Sequence, residues 1–76
     1  MSGNKLEKVV EIVLIVMKNS SLSHNEEITA ETHLRDDLGF DSLALAELAV
    51  RIEDKFDVDV FEDGLVNTVQ EVLEKL

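Results

Sequence analysis

The chain has 76 residues, with 7 Lys and Arg against 17 Asp and Glu, a formal net charge of -10 at pH 7. That length makes one domain, too small to enclose a deep catalytic cleft, and the acidity opposes nucleic acid and anionic membrane surfaces as ligands. With no Cys, neither disulfides nor thiolate metal sites staple it, and 45% hydrophobic residues is too many for a disordered acidic tail.

The absence of Pro and the small number of Gly favour helices. The first helix is predicted from about Lys5 to Lys18, with Asn4 as N-cap and Glu7 at the third helical position. Leu6, Val9, Val10, Val13, Val16 and Met17 recur at helical spacing and form one apolar face, which Ile12, Leu14 and Ile15 widen. So many β-branched residues weaken intrinsic helix propensity, so this helix depends on being packed between neighbours. It is not a membrane span: the longest unbroken apolar run, Ile12 to Met17, is far short of the ~18 residues a span needs. Nor is it a signal peptide, because Glu11 interrupts the run and no small-residue cleavage site follows at Lys18-Asn19-Ser20. A cytoplasmic protein is expected.

Asn19 to Phe40 is predicted as a long connection, rich in residues that compete for local backbone hydrogen bonds: Ser20, Ser21, Ser23, Asn25, Thr29 and Thr32. Leu22, Ile28, Leu34 and Leu38 are its expected anchors on the core, with a short helical turn around Leu34–Leu38. The second helix is predicted from Ser42 to about Phe56, with Asp41 as N-cap. It carries two stripes about 200° apart. Leu45, Leu48, Ala49, Ile52 and Phe56 are all apolar and should face the core. Leu43, Ala46, Glu47, Val50 and Asp54 mix small apolar side chains with carboxylates. Leu43 and Val50 are either scattered surface apolars or the centre of a recognition face. Asp57 to Val66 is a short connection, with one helical turn expected after Phe61. Thr68-Val69-Gln70-Glu71 fits a capping box and opens the last helix, whose buried side is Val69, Val72, Leu73 and Leu76. The pattern predicts an all-α fold: a small four-helix bundle of three main helices and one short one, in a single domain spanning residues 1–76.

Ser42 carries the most chemical information. A helix start offers unpaired N–H groups and a positive dipole end, so a Ser hydroxyl there can carry a phosphodiester; an ordinary helix-start Ser is the simpler alternative. A nucleophilic Ser fits poorly. Asp41 and Leu43 flank Ser42 where a nucleophile elbow has x and needs a second Gly nearby, and the only candidate bases, His24 and His33, lie in the polar loop. Asp57, Asp59 and Asp63 with Gly64 hint at a calcium loop, but starting from Asp57 the sixth position is Glu62, and starting from Asp59 the twelfth is Gln70. Only weak divalent binding to the acidic surface is expected.

The stretch Thr32-x-Leu34-x-x-Asp37-Leu38-Gly39-x-Asp41-Ser42-Leu43, followed by Glu47-Leu48 and Ile52-Glu53-x-x-Phe56, resembles the acyl carrier protein family over nearly the whole chain. The resemblance implies a carrier and not a catalyst. A phosphopantetheinyl transferase would move 4'-phosphopantetheine from coenzyme A onto Ser42, with Asp41 beside it at the cofactor site. The thiol of that arm, which this chain lacks, would hold acyl groups as thioesters between separate enzymes. The resemblance further implies that Leu43, Ala46, Glu47, Val50, Glu53 and Asp54 form the partner-facing side of the second helix. They would meet acyl-loading, condensing or transfer enzymes with basic docking patches, the carrier itself being a monomer. Housekeeping fatty-acid carriers often have an acidic residue where this chain has Ala44, usually lack a basic residue at Arg51, and are longer around 61–67. These departures point towards a freestanding carrier in a specialised pathway such as polyketide or peptide synthesis. An acidic helical interaction module without the arm is the alternative of a different class.

Overall fold

The computed structural model describes residues 5–22, 27–62, 64 and 66–76. Among them are three α-helices: α1 (Lys5–Asn19), α2 (Ser42–Phe56) and α3 (Val69–Glu74). The all-α expectation holds, and α2 has the predicted bounds. The short additional helix is replaced by turns. Around Leu34–Leu38 the amides of Asp37 and Gly39 bond to the carbonyls of His33 and Arg35, at 3.0 and 3.1 Å, and the turn then stops. Near Phe61, Glu62 N–H bonds to Asp59 and Gly64 N–H to Phe61, again single turns. Each stretch is too short to repay helix nucleation, and Gly39 (φ 79°) and Gly64 (φ 128°) end them in left-handed or extended positive-φ conformations.

α1 packs against both α2 and α3, and buried residues of all three share one core. Its core face is Val9, Ile12, Val13, Val16 and Met17, all buried. Leu14 and Ile15 do not widen that face as expected. They are 51% and 45% exposed, because the neighbours of α1 cover only one side of the helix. Asn4, the expected N-cap, lies outside the described residues. The C-terminal end has a Schellman motif: Leu22 N–H reaches the Met17 carbonyl at 2.8 Å, Ser21 N–H reaches Lys18 at 3.3 Å, and Ser21 sits at φ 59° where Gly is usual.

The long connection is anchored by Ile28, Leu34 and Leu38, which are buried, and by Leu22, which is half-buried. It is also stitched by its backbone to the start of α3. Leu34 N–H donates to Asn67 at 2.8 Å, Val69 N–H to Thr32 at 3.1 Å, and Gln70 N–H to Ala30 at 2.7 Å, forming an isolated antiparallel bridge between His33 and Thr68. Buried Thr32 closes the turn before it by accepting from Thr29 N–H at 2.8 Å. α3 opens with the expected capping box. Thr68 Oγ1 accepts from Glu71 N–H, and the Glu71 carboxylate accepts from the amides of Thr68 and Asn67. Those two amides hold the Glu71 carboxyl below the usual carboxylate range.

Candidate functional site: the start and outer face of α2

The segment before α2 places Ser42 from both sides. Gly39 adopts φ 79°, which turns the chain so that Phe40 points inward, 3% exposed, with its N–H bonded to the Leu34 carbonyl at 3.0 Å. Asp41 is extended (φ -101°, ψ -173°) and caps the helix, its Oδ1 accepting from Ala44 N–H at 2.9 Å. Ser42 is then the first residue of α2 and is exposed. The N–H groups of Ser42 and Leu43 have no partner among the described residues. A phosphodiester on the Ser42 oxygen therefore fits: the hydroxyl is accessible, and the positive helix end with open donors favours an anion.

The two faces of α2 separate as predicted. Ala44, Leu45, Leu48 and Ile52 are buried, with Ala49 and Phe56 half-buried. On the other side Leu43 is 80% and Val50 64% exposed, and Ala46, Glu53 and Asp54 are exposed too. Leu43 and Val50 are thus large apolar groups at the surface of one helix face. Glu47 differs from the other carboxylates. Its Oε2 accepts from Asn19 Nδ2 at 2.9 Å and from Arg51 Nε at 2.9 Å. These bonds, Asn19 first, hold its carboxyl below the usual carboxylate range. The Asn19 contact was not legible in the sequence, since it joins two helices across the long loop. The Arg51 contact, at the i, i+4 spacing, was available.

The rival chemistries find no assembled site among the described residues. His33 sits in the turn before Ser42, its Nδ1 3.7 Å from Asp37 Oδ2, and makes no hydrogen bond to Ser42. His24 lies outside the described residues. Asp57 caps the end of α2 in a left-handed conformation, Asp59 Oδ1 accepts from Phe61 N–H at 3.1 Å, and Asp63 lies outside the described residues. No group of three metal-binding side chains occurs among the described residues. No helix there is long and apolar enough to cross a membrane.

Residues 8–76 match the family described as "Phosphopantetheine attachment site". The chain is 36% identical over 72 residues to the acyl carrier protein of Syntrophus aciditrophicus, covering 92% of this chain and 85% of that one. It is 37% identical over 54 residues to the mitochondrial acyl carrier protein of Saccharomyces cerevisiae, covering 71% of this chain and 43% of the yeast protein. A chloroplastic acyl carrier protein of Brassica napus is 36% identical over 72 residues, 92% of this chain and 53% of that protein. No solved structure gives a significant match. An exposed serine at an open helix start and these matches together show that the chain belongs to the acyl carrier protein family, carriers and not enzymes, which bear covalently attached 4'-phosphopantetheine.

Proposed function

We propose that Ser42 is the attachment residue and that the outer face of α2 docks the enzymes which load, modify and unload the arm. The observation that carries this is the exposed Ser42 hydroxyl at the first position of α2, beside two amides without partners. When bound, the arm supplies a terminal thiol for holding acyl groups as thioesters, chemistry that a chain without Cys lacks. Asp41 fixes the helix start by capping Ala44, so the Ser42 oxygen leaves the surface at a defined point. The amides of Ser42 and Leu43 and the helix dipole offset the phosphodiester charge. The Ser42 proton passes to a base on the transferase, since His33 is turned to Asp37.

Ala44, Arg51 and the short 61–67 stretch support service in a freestanding specialised pathway over housekeeping fatty-acid synthesis. The chain acts as a single monomeric domain. The cytoplasmic reading rests on the sequence of α1, and two of the relatives above carry organelle names. Incubation with coenzyme A and a promiscuous phosphopantetheinyl transferase should add one phosphopantetheinyl mass to the wild type. Ser42→Ala should gain none and keep its helical circular dichroism. An unmodified wild type, or a modified Ser42→Ala, refutes the attachment reading and leaves an acidic interaction module.

A further inference from the structure

The outer face of α2 is not uniformly acidic. At 100° per residue, Leu43 and Val50 form a central apolar lane that Asp54 continues. Ala46 and Glu53 lie along one edge. Glu47 and Arg51 lie along the other, against Asn19 at the end of α1. Glu47 is already engaged inside the molecule, through Asn19 and Arg51. Arg51 uses only Nε in that pair. Its two terminal nitrogens have no partner among the described residues. No side-chain nitrogen there is both buried and unsatisfied, so they reach the surface; the side chain is 41% exposed. A guanidinium held from its Nε side keeps its remaining N–H donors in one plane, the geometry that a carboxylate accepts.

We propose that Arg51 is a specificity-determining contact of this docking face, with Glu47 and Asn19 as the residues that position it. The partner surface that fits presents a carboxylate to the Arg51 guanidinium, cations to Glu53 and Asp54, and an apolar patch to Leu43 and Val50. A wholly basic patch is the wrong complement, because it sets a like charge against Arg51. The inference rests on the reading of Ser42 as attachment site and of α2 as docking helix.

The test is the kinetics of pantetheinylation with coenzyme A and the phosphopantetheinyl transferase of the carrier's own cell. Long-range attraction alone predicts that removing a cation from this acidic chain speeds its encounter with a basic enzyme. A specific contact predicts the opposite sign. Arg51→Ala should raise KM about tenfold at unchanged kcat, the scale of one lost charge-assisted interface bond. Arg51→Gln is shorter but keeps the Cβ and Cγ methylenes while removing the charge and should raise KM in the same direction, which separates lost charge from loss of the whole side chain. Arg51→Lys should recover part of the loss. Glu47→Gln should raise KM about threefold and add nothing to Arg51→Ala in the double variant, as expected of a residue acting through Arg51. An Arg51→Ala or Arg51→Gln KM at or below the wild-type value overturns the proposal. So does a larger effect of Glu47→Gln than of Arg51→Ala, because Glu47 would then meet the partner itself. A wild type that accepts no arm fails differently, since it overturns the carrier reading first and the role of Arg51 falls with it.

Discussion

Leu48→Ala and Leu43→Ala delete the same atoms from opposite faces of one helix. Leu48 is 0% exposed and Leu43 80% exposed. In a closed core the loss of those atoms, with the cavity left behind, costs about 2–5 kcal/mol. A domain of this length has about 4–11 kcal/mol of stability in all. For a domain this small each kcal/mol moves the melting point by about 4–8 °C, so Leu48→Ala should lower Tm by about 8–40 °C. Leu43→Ala buries nothing less than before and should cost under about 0.5 kcal/mol, a few degrees at most. Thermal unfolding followed by circular dichroism reads both. The functional readout should invert: Leu43→Ala raises the KM for pantetheinylation, whereas Leu48→Ala, below its own melting range, leaves it near wild type. Equal Tm losses in the two variants, or a Leu48→Ala loss below about 4 °C, would refute the assignment of inner and outer faces.

Backbone strain gives a second pair. Ser21→Gly should raise stability by up to about 1 kcal/mol, because Ser21 holds a left-handed φ of 59°, while Gly39→Ala should lower it by about 1–2 kcal/mol, since φ is 79° there; denaturant midpoints measure both. Among the described residues a Cβ on Gly39 would meet only Leu22 Cδ2, at 3.8 Å, so the penalty there is conformational and not a clash. Glu71 is held below its ordinary pKa of 4.5 by the amides of Asn67 and Thr68. Its contribution to stability is therefore complete above that ordinary value and is lost as pH falls through the lower folded-state value. Glu71→Gln should flatten that part of the acid limb in a pH series of urea midpoints, and an unchanged limb would count against the cap. Finally, salt or millimolar divalent cations should raise the Tm of a chain carrying -10, and a flat or falling series contradicts self-repulsion as a destabilising force.

Local signals were the legible ones. The capping box at Thr68, the cap at Asp41 and the separation of Leu48 from Leu43 each lie within a few residues of sequence, and the structure carries all three. Periodicity over-reached at Leu14 and Ile15, because apolar content alone cannot tell how many sides of a helix its neighbours cover. The turn at Ser21 escaped notice because Ser stands where Gly normally announces a Schellman motif. The Asn19–Glu47 bond and the pairing of the long loop with α3 join positions remote along the chain, so no window of sequence contains both partners. At the site, Ser42 and its cap were readable from type and spacing, and the division of the α2 face was not. It depends on Asn19, at the end of α1, reaching the Glu47 carboxylate.

The bridge between His33 and Thr68 has a kinetic meaning. It pairs chain on either side of α2, so the segment before Ser42 and the start of α3 close a loop that contains α2. Such long-range pairing forms late relative to local turns, because its closure entropy precedes its reward. The amides of Leu34, Val69 and Gln70, all engaged in it, should exchange with deuterium as one cooperative unit. Phe40, whose amide bonds back to Leu34, belongs to that unit, two residues from Ser42. Fraying of α3 should thus loosen the segment that seats Ser42.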